Sequence, residues 1–148
     1  MLEVVSALAH WSPWLPFDAA VAAAPREPGV YLARQAAGDL VYVGMAGERR
    51  GQGIRGRLTV YWRGKAAVSG LGEAALDRAL ADPVFVQQHL DEVRAGSPKR
   101  AAVWAHDALR WAGLQICWAV TTDGAAAKAL ERVVLDTLIT ASLWNRAR

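Results

Sequence analysis

Cysteine is almost missing from this chain: one residue, Cys117, in 148. A single thiol excludes an intramolecular disulfide and any cysteine-rich zinc module. It sits in a strand-like apolar run and is expected as a small core hydrophobe in a reducing compartment. Long hydrophobic runs are missing too. Nothing approaches the ~20 uninterrupted apolar residues of a membrane-spanning helix, and Pro13 and Pro16 break the first apolar stretch before a signal-type core forms. A cytoplasmic protein with no membrane partner is expected. Histidine is scarce, and His10, His89 and His106 have no metal-ligand spacing; exposed or capping roles are expected for them. No acid lies two residues before any of the three lysines, and no Ser-His-Asp arrangement stands out.

What is present is enough for one globular domain spanning 1–148. At 53% hydrophobic, with seven tryptophans, the chain can bury a core without covalent or metal staples. The net charge of +3 is unevenly placed. Arg49, Arg50, Arg55, Arg57, Arg63 and Lys65 form a segment without an acid, leaving eleven bases against fourteen acids elsewhere. Such a directed field suits a polyanion, although a solvated basic face has the same composition. All three tyrosines, Tyr31, Tyr42 and Tyr61, lie in or just before this segment.

Residues 1–28 form an irregular lead-in with a short helix expected around 18–24. The runs 29–33 and 40–44 flank Ala37-Gly38-Asp39, a hairpin signal. A glycine-rich basic loop, 45–53, leads into a helix over 54–65. The stretch 71–112 has a helical pattern and lies within an insertion spanning 66–112. Asp82-Pro83 and Ser97-Pro98 each resemble an N-cap with proline at the first helical position, and Gly113 suits a C-terminal cap. Trp104, Ala108 and Trp111 share a helix face and are expected in the core. A third strand is expected over 114–121 and a last helix over 125–141. The expected fold is therefore α+β: a small central antiparallel sheet of about three strands, flanked by helices, with a helical insertion before the third strand. Gly51, Gly53 and Gly56 match the spacing of a dinucleotide-binding loop. They begin seven residues after the second strand, however, and no parallel strand returns within range, so that reading is rejected.

Glu131 is the most informative single residue. At 100° per residue, Ala127, Val134, Leu135 and Leu138 project within about 60° of it, which places a carboxylate on an apolar helix face. It reads either as half of an Arg–Glu structural pair or as a metal-binding or active-site carboxylate.

Gly29-Val30-Tyr31, followed after ten residues by Tyr42-Val43-Gly44, resembles the paired motifs of the GIY-YIG nuclease superfamily. Arg57-Leu58-Thr59-Val60-Tyr61 resembles the segment that follows in its UvrC-like branch, where a helix carries an Arg and an aromatic or His one turn later. Glu131 resembles the family's metal-binding Glu on a late helix, and Trp144-Asn145 its terminal Asn motif. Met45 stands where family members often carry Lys or His. The resemblance implies a metal-dependent endonuclease acting on DNA, with RNA left open. In it Tyr31, assisted by Tyr42, deprotonates water, its phenol made acidic by nearby Arg and metal charge. Arg57 holds the scissile phosphate, Glu131 holds one Mg²⁺ or Mn²⁺, and Asn145 supports that site, although from sequence Asn145 equally suits a helix C-cap. Arg49, Arg50, Arg55, Arg63 and Lys65 are expected to contact the nucleic-acid backbone. The alternative is a nucleic-acid-binding module on the same fold with weak or lost catalysis.

Overall fold

A computed structural model describes residues Leu2–Arg146; Met1, Ala147 and Arg148 lie outside the described residues. The run Gly29–Ala33 is buried without a break, because its strand is central and covered on both faces. This strand, β2 (Gly29–Arg34), pairs antiparallel with β3 (Leu40–Ala46) and with β4 (Gln115–Val120). A two-residue strand, β1 (Leu15–Pro16), pairs with β4 and completes the order β1-β4-β2-β3. The sheet thus has four strands where about three were expected. Every pairing among the described residues is antiparallel, so they contain no dinucleotide-binding βαβ unit.

Strand alternation sorts the core into two sides. Tyr31, Ala33 and Ile116 face a layer built from α2 (Phe17–Ala23), α3 (Gly53–Trp62), α4 (Gly70–Ala79) and α6 (Ala101–Ala112), with Phe17, Ile54, Leu58, Leu71 and Leu109 packed there. Val30, Leu32, Val43 and Cys117 face the other way, against Val134 and Leu135 of α7 (Gly124–Thr137), Leu138 just after it and Val5 of α1 (Glu3–Ser6). Cys117 is the core hydrophobe expected, and burial pushes its thiol up to about 12. No helix among the described residues is long and apolar enough to cross a membrane.

The 66–112 stretch is helical, as α4, α5 (Pro83–Arg94) and α6. Asp82 caps α5, accepting from the Val84 N–H with Pro83 in the first turn, and Gly113 ends α6 at φ 60°. Ser97-Pro98 does not start a helix. Ser97 donates to the Glu92 carbonyl in the turn that closes α5, and α6 begins only after Arg100. Trp111 is not core: it is 40% exposed, and its indole N–H donates to Asp82. The last helix stops at Thr137 rather than at 141, where Leu138 leaves helical geometry and turns its side chain into the core.

β3 carries an irregularity between Tyr42, which opposes Ala33, and Leu40, which opposes Arg34, so Val41 is an extra residue. The Val41 carbonyl accepts the Trp144 N–H at 2.6 Å. Beside it the Asn145 amide pairs with both backbone groups of Val43, donating to its carbonyl at 2.7 Å and accepting its N–H at 3.1 Å. The outer edge of β3 is covered in this way by chain that forms no strand.

Candidate active site

Tyr31 sits at the middle of β2, opposite Gly44 on one side and Trp118 on the other. Its phenol lies across the Gly44 backbone. A methyl group at position 44 would come within 2.3 Å of the Tyr31 ring carbon Cζ and hydroxyl, so only glycine admits this pose. Tyr42, one step along β3 on the same face, stacks on Tyr31 with ring centroids 6.3 Å apart and 21° between planes. The two motifs of the hairpin are therefore one construction, two phenols and the gap that seats the first.

α3 brings the next two groups. Arg57 and Tyr61 stand four residues apart, on one helix face, and the Arg57 guanidinium lies 4.6 Å from the Tyr61 ring centre. The Tyr61 and Tyr31 hydroxyls share a 2.8 Å hydrogen bond in which either can donate. Gly70, the first residue of α4, closes the group. Its φ of +55° suits glycine, and a methyl there would lie 2.3 Å from the Tyr61 hydroxyl, 3.0 Å from Arg57 Nη2 and 3.2 Å from the Tyr42 hydroxyl.

The electrostatics depart from expectation. Burial holds Tyr31 well above the ordinary phenol value, with Tyr61 and Tyr42 adding to the rise and Arg57 only partly opposing it. Tyr42 is raised as well, by burial first, then by Tyr61, with Arg57 pulling down and Glu131 pushing up. Tyr31 and Tyr42 thus hold their protons tightly in the absence of metal, because desolvation outweighs the one cation beside them. For Arg57, burial works against the charge, but the Tyr61 and Tyr31 oxygens more than offset it. Arg57 makes no ion pair with any acid among the described residues.

Glu131 is half-buried on α7, close enough to Tyr42 to act on it electrostatically. Burial raises its own carboxyl above the ordinary range, and Lys128 pulls it partly back. No Arg–Glu structural pair forms: among the described residues Glu131 is in no ion pair. No cluster of three or more acidic, His or Cys side chains that could cage a metal exists among them either. A lone carboxylate suits Mg²⁺ or Mn²⁺, whose remaining ligands can be waters and substrate oxygens, better than a metal that requires several protein ligands. Asn145 is not a helix C-cap, since its amide is engaged with Val43, between Tyr42 and Gly44. Met45 packs with the α7-side core, on the face away from Tyr31.

The basic residues separate into two groups. Arg49 and Arg50 occupy an exposed turn at φ 48° and 56°, and Arg63 and Lys65 are exposed after α3. Arg55 differs, donating to the carbonyls of Ala24 at 2.7 Å and Ala22 at 3.1 Å at the end of α2. The first turn of α3 is closed to a phosphate as well, because the Ile54 and Arg55 N–H groups donate to Glu27 and Pro25.

Tyr61 and Gly70 belong to the site although they were not among the expected site residues. The i, i+4 spacing from Arg57 pointed to Tyr61; no local signal marks Gly70. Elsewhere His89 is buried rather than exposed, bonded to the Phe85 carbonyl and to Asp107. Comparison of the chain with family models, with curated proteins and with solved structures gives no match.

Proposed function

We propose that the protein is a metal-dependent endonuclease of the GIY-YIG type, hydrolysing phosphodiester bonds in DNA in the cytoplasm. The observation that carries this reading is an arginine without an acidic partner meeting three tyrosine hydroxyls around one glycine. Arg55, a structural arginine, spends its guanidinium on backbone carbonyls, whereas the Arg57 charge is met by phenol oxygens and by no carboxylate among the described residues. Arg57 is left to an anion from outside, and its planar fork suits a phosphate.

Arg57, half-buried, holds the non-bridging oxygens of the scissile phosphate. Tyr42, the less buried phenol of the hairpin pair, borders the substrate and exchanges a proton at its hydroxyl. Tyr31 and Tyr61 sit behind it as a hydrogen-bonded pair that holds the Tyr42 oxygen in place, and the proton Tyr42 takes from the attacking water leaves to bulk water on its exposed side. The charge of Arg57 favours the phenolate that burial resists. Glu131 would hold one Mg²⁺ or Mn²⁺, which when bound supplies Lewis-acid charge to the phosphate. Asn145 acts at one remove, fixing the strand between Tyr42 and Gly44.

One observation favours a second reading, a nucleic-acid-binding module without catalysis: Tyr31 is only 1% exposed. Plasmid nicking with and without Mg²⁺ or Mn²⁺ separates the two. The wild type should nick only with metal, Arg57→Ala should not nick, and Arg57→Lys should not restore activity. DNA binding without nicking under every metal condition supports the binding module.

A further inference from the structure

Resting on the reading of the site as one for a phosphodiester, we infer that the outer face of α3 takes an unpaired DNA strand rather than a duplex. Two shallow grooves lie along that helix. One, of about 340 Å³, is formed by Arg49, Arg50, Gln52, Gly56 and Val60. The other, of about 420 Å³, lies between α3 and α6 and is formed by Trp62, Arg63, Lys65, Ala102, Val103 and His106. Gly56, Val60 and Arg63 fall on one helical stripe, adjacent to the turn of Arg57. Arg57 itself lines neither groove and faces the tyrosines, so the grooves lie round the same helix from it.

Their chemistry has two parts. The rims are cationic, and Arg49, Arg50, Arg63 and Lys65 make no ion pair among the described residues. Glu48, the nearest acid in sequence, instead accepts the Gly124 N–H at the start of α7. The floors are apolar: Val60 and Ala102 are partly exposed and Val103 is 37% exposed. The aromatic wall is rigid, since Trp62 stacks on Phe17 at 5.4 Å and the His106 ring sits edge-on to it, bonded to the Trp62 carbonyl. A duplex presents phosphates and sugars to a shallow surface and keeps its base faces stacked inside. An unpaired strand presents phosphates and bare base faces together, and base faces are what an apolar floor covers.

The test is the binding of a fluorescein-labelled oligothymidylate and of a duplex of equal length to the full chain by fluorescence anisotropy. The wild type and a Val60→Ser/Val103→Ser variant are compared, with circular dichroism to confirm that the variant folds. The single strand should bind about tenfold tighter than the duplex. The serine variant should lose about tenfold for the single strand, the scale of two aliphatic floor contacts exchanged for hydroxyls, with no loss for the duplex. Equal affinity for the two, or equal loss for both in the variant, overturns the inference and leaves the nuclease reading standing if duplex plasmid is still nicked. If neither oligonucleotide binds at low salt and no plasmid is nicked, the inference and the reading beneath it both fail.

Discussion

The Tyr61 hydroxyl rests against the bare Cα of Gly70, so close that a methyl group there would overlap it at 2.3 Å. Gly96 has a similar left-handed backbone, φ +78°, with open space around it. Both Gly→Ala changes carry backbone strain of about 1–2 kcal/mol, but only Gly70→Ala adds overpacking, worth roughly 1–3 kcal/mol more. Tyr61→Phe removes the overlapping atom and should recover part of the Gly70→Ala loss. Urea unfolding of the two single variants and the Tyr61→Phe/Gly70→Ala double checks this; equal losses at 70 and 96 would refute the contact.

Alkaline titration tests the burial of the phenols. Tyr31 and Tyr42 hold their protons more tightly in the fold than the ordinary value of about 10. Their contribution to stability is therefore complete below about pH 10 and is lost as the pH climbs towards the raised folded values. The absorbance step of phenolate near that pH should lack both residues until the protein unfolds. Tyr42→Phe should flatten the fall in melting temperature between about pH 10 and 12. A native protein in which Tyr31 and Tyr42 ionise at the ordinary phenol value would contradict the arrangement.

Glu131→Gln separates a metal ligand from a structural acid. Because burial raises this carboxyl, its stabilising contribution is present below its ordinary range near 4.3 and lost as the pH rises through the raised value. The variant should accordingly melt no lower than wild type at neutral pH. Nicking should fall by at least about 100-fold, a few kcal/mol of transition-state stabilisation. Added Mn²⁺ should raise the melting temperature of the wild type and not of the variant. A variant that melts lower yet nicks normally would remove Glu131 from the site.

Salt dependence distinguishes cations that look alike in sequence. Removing Arg49, Arg50, Arg63 or Lys65 should each flatten the logarithmic salt slope of DNA binding by about 0.7–0.9. Arg55→Ala should leave the slope alone and cost about 1 kcal/mol of stability, because its guanidinium holds the carbonyls at the end of α2. A slope change at Arg55 equal to that at Arg63 would refute the division.

The hairpin and its pair of phenols were legible because strand alternation is local: β-branched and aromatic runs around a turn fix which residues share a face. Asp82-Pro83 was legible for the same reason, and Ser97-Pro98 carried the same signal without starting a helix because the chain there closes a turn on α5. β1 could not be read, since two residues that include Pro16 have no strand pattern and are held by β4 alone. The rise of Tyr31 and Tyr42 could not be read, because the sequence displays the neighbouring cations but not the depth of burial. Gly70 and Arg55 have roles set by the packing of α4 on α3 and of α2 on α3, distances that no spacing encodes.

The cover over β3 has a consequence for how copies of the chain meet. An uncovered outer strand is a template on which a second chain can extend the sheet. Here Trp144 and Asn145 occupy the carbonyls of Val41 and Val43 and the N–H of Val43, and Arg146 is tied by an ion pair to Glu73 of α4. At the far edge β1 offers only two residues, one of them Pro16. The β3 rim is a poor template for edge-to-edge polymerisation while Trp144 and Asn145 stay in place. Loss of them would bare the strand that carries Tyr42 and Gly44, so a proteolytic nick after Leu143 would bring self-association and loss of activity together.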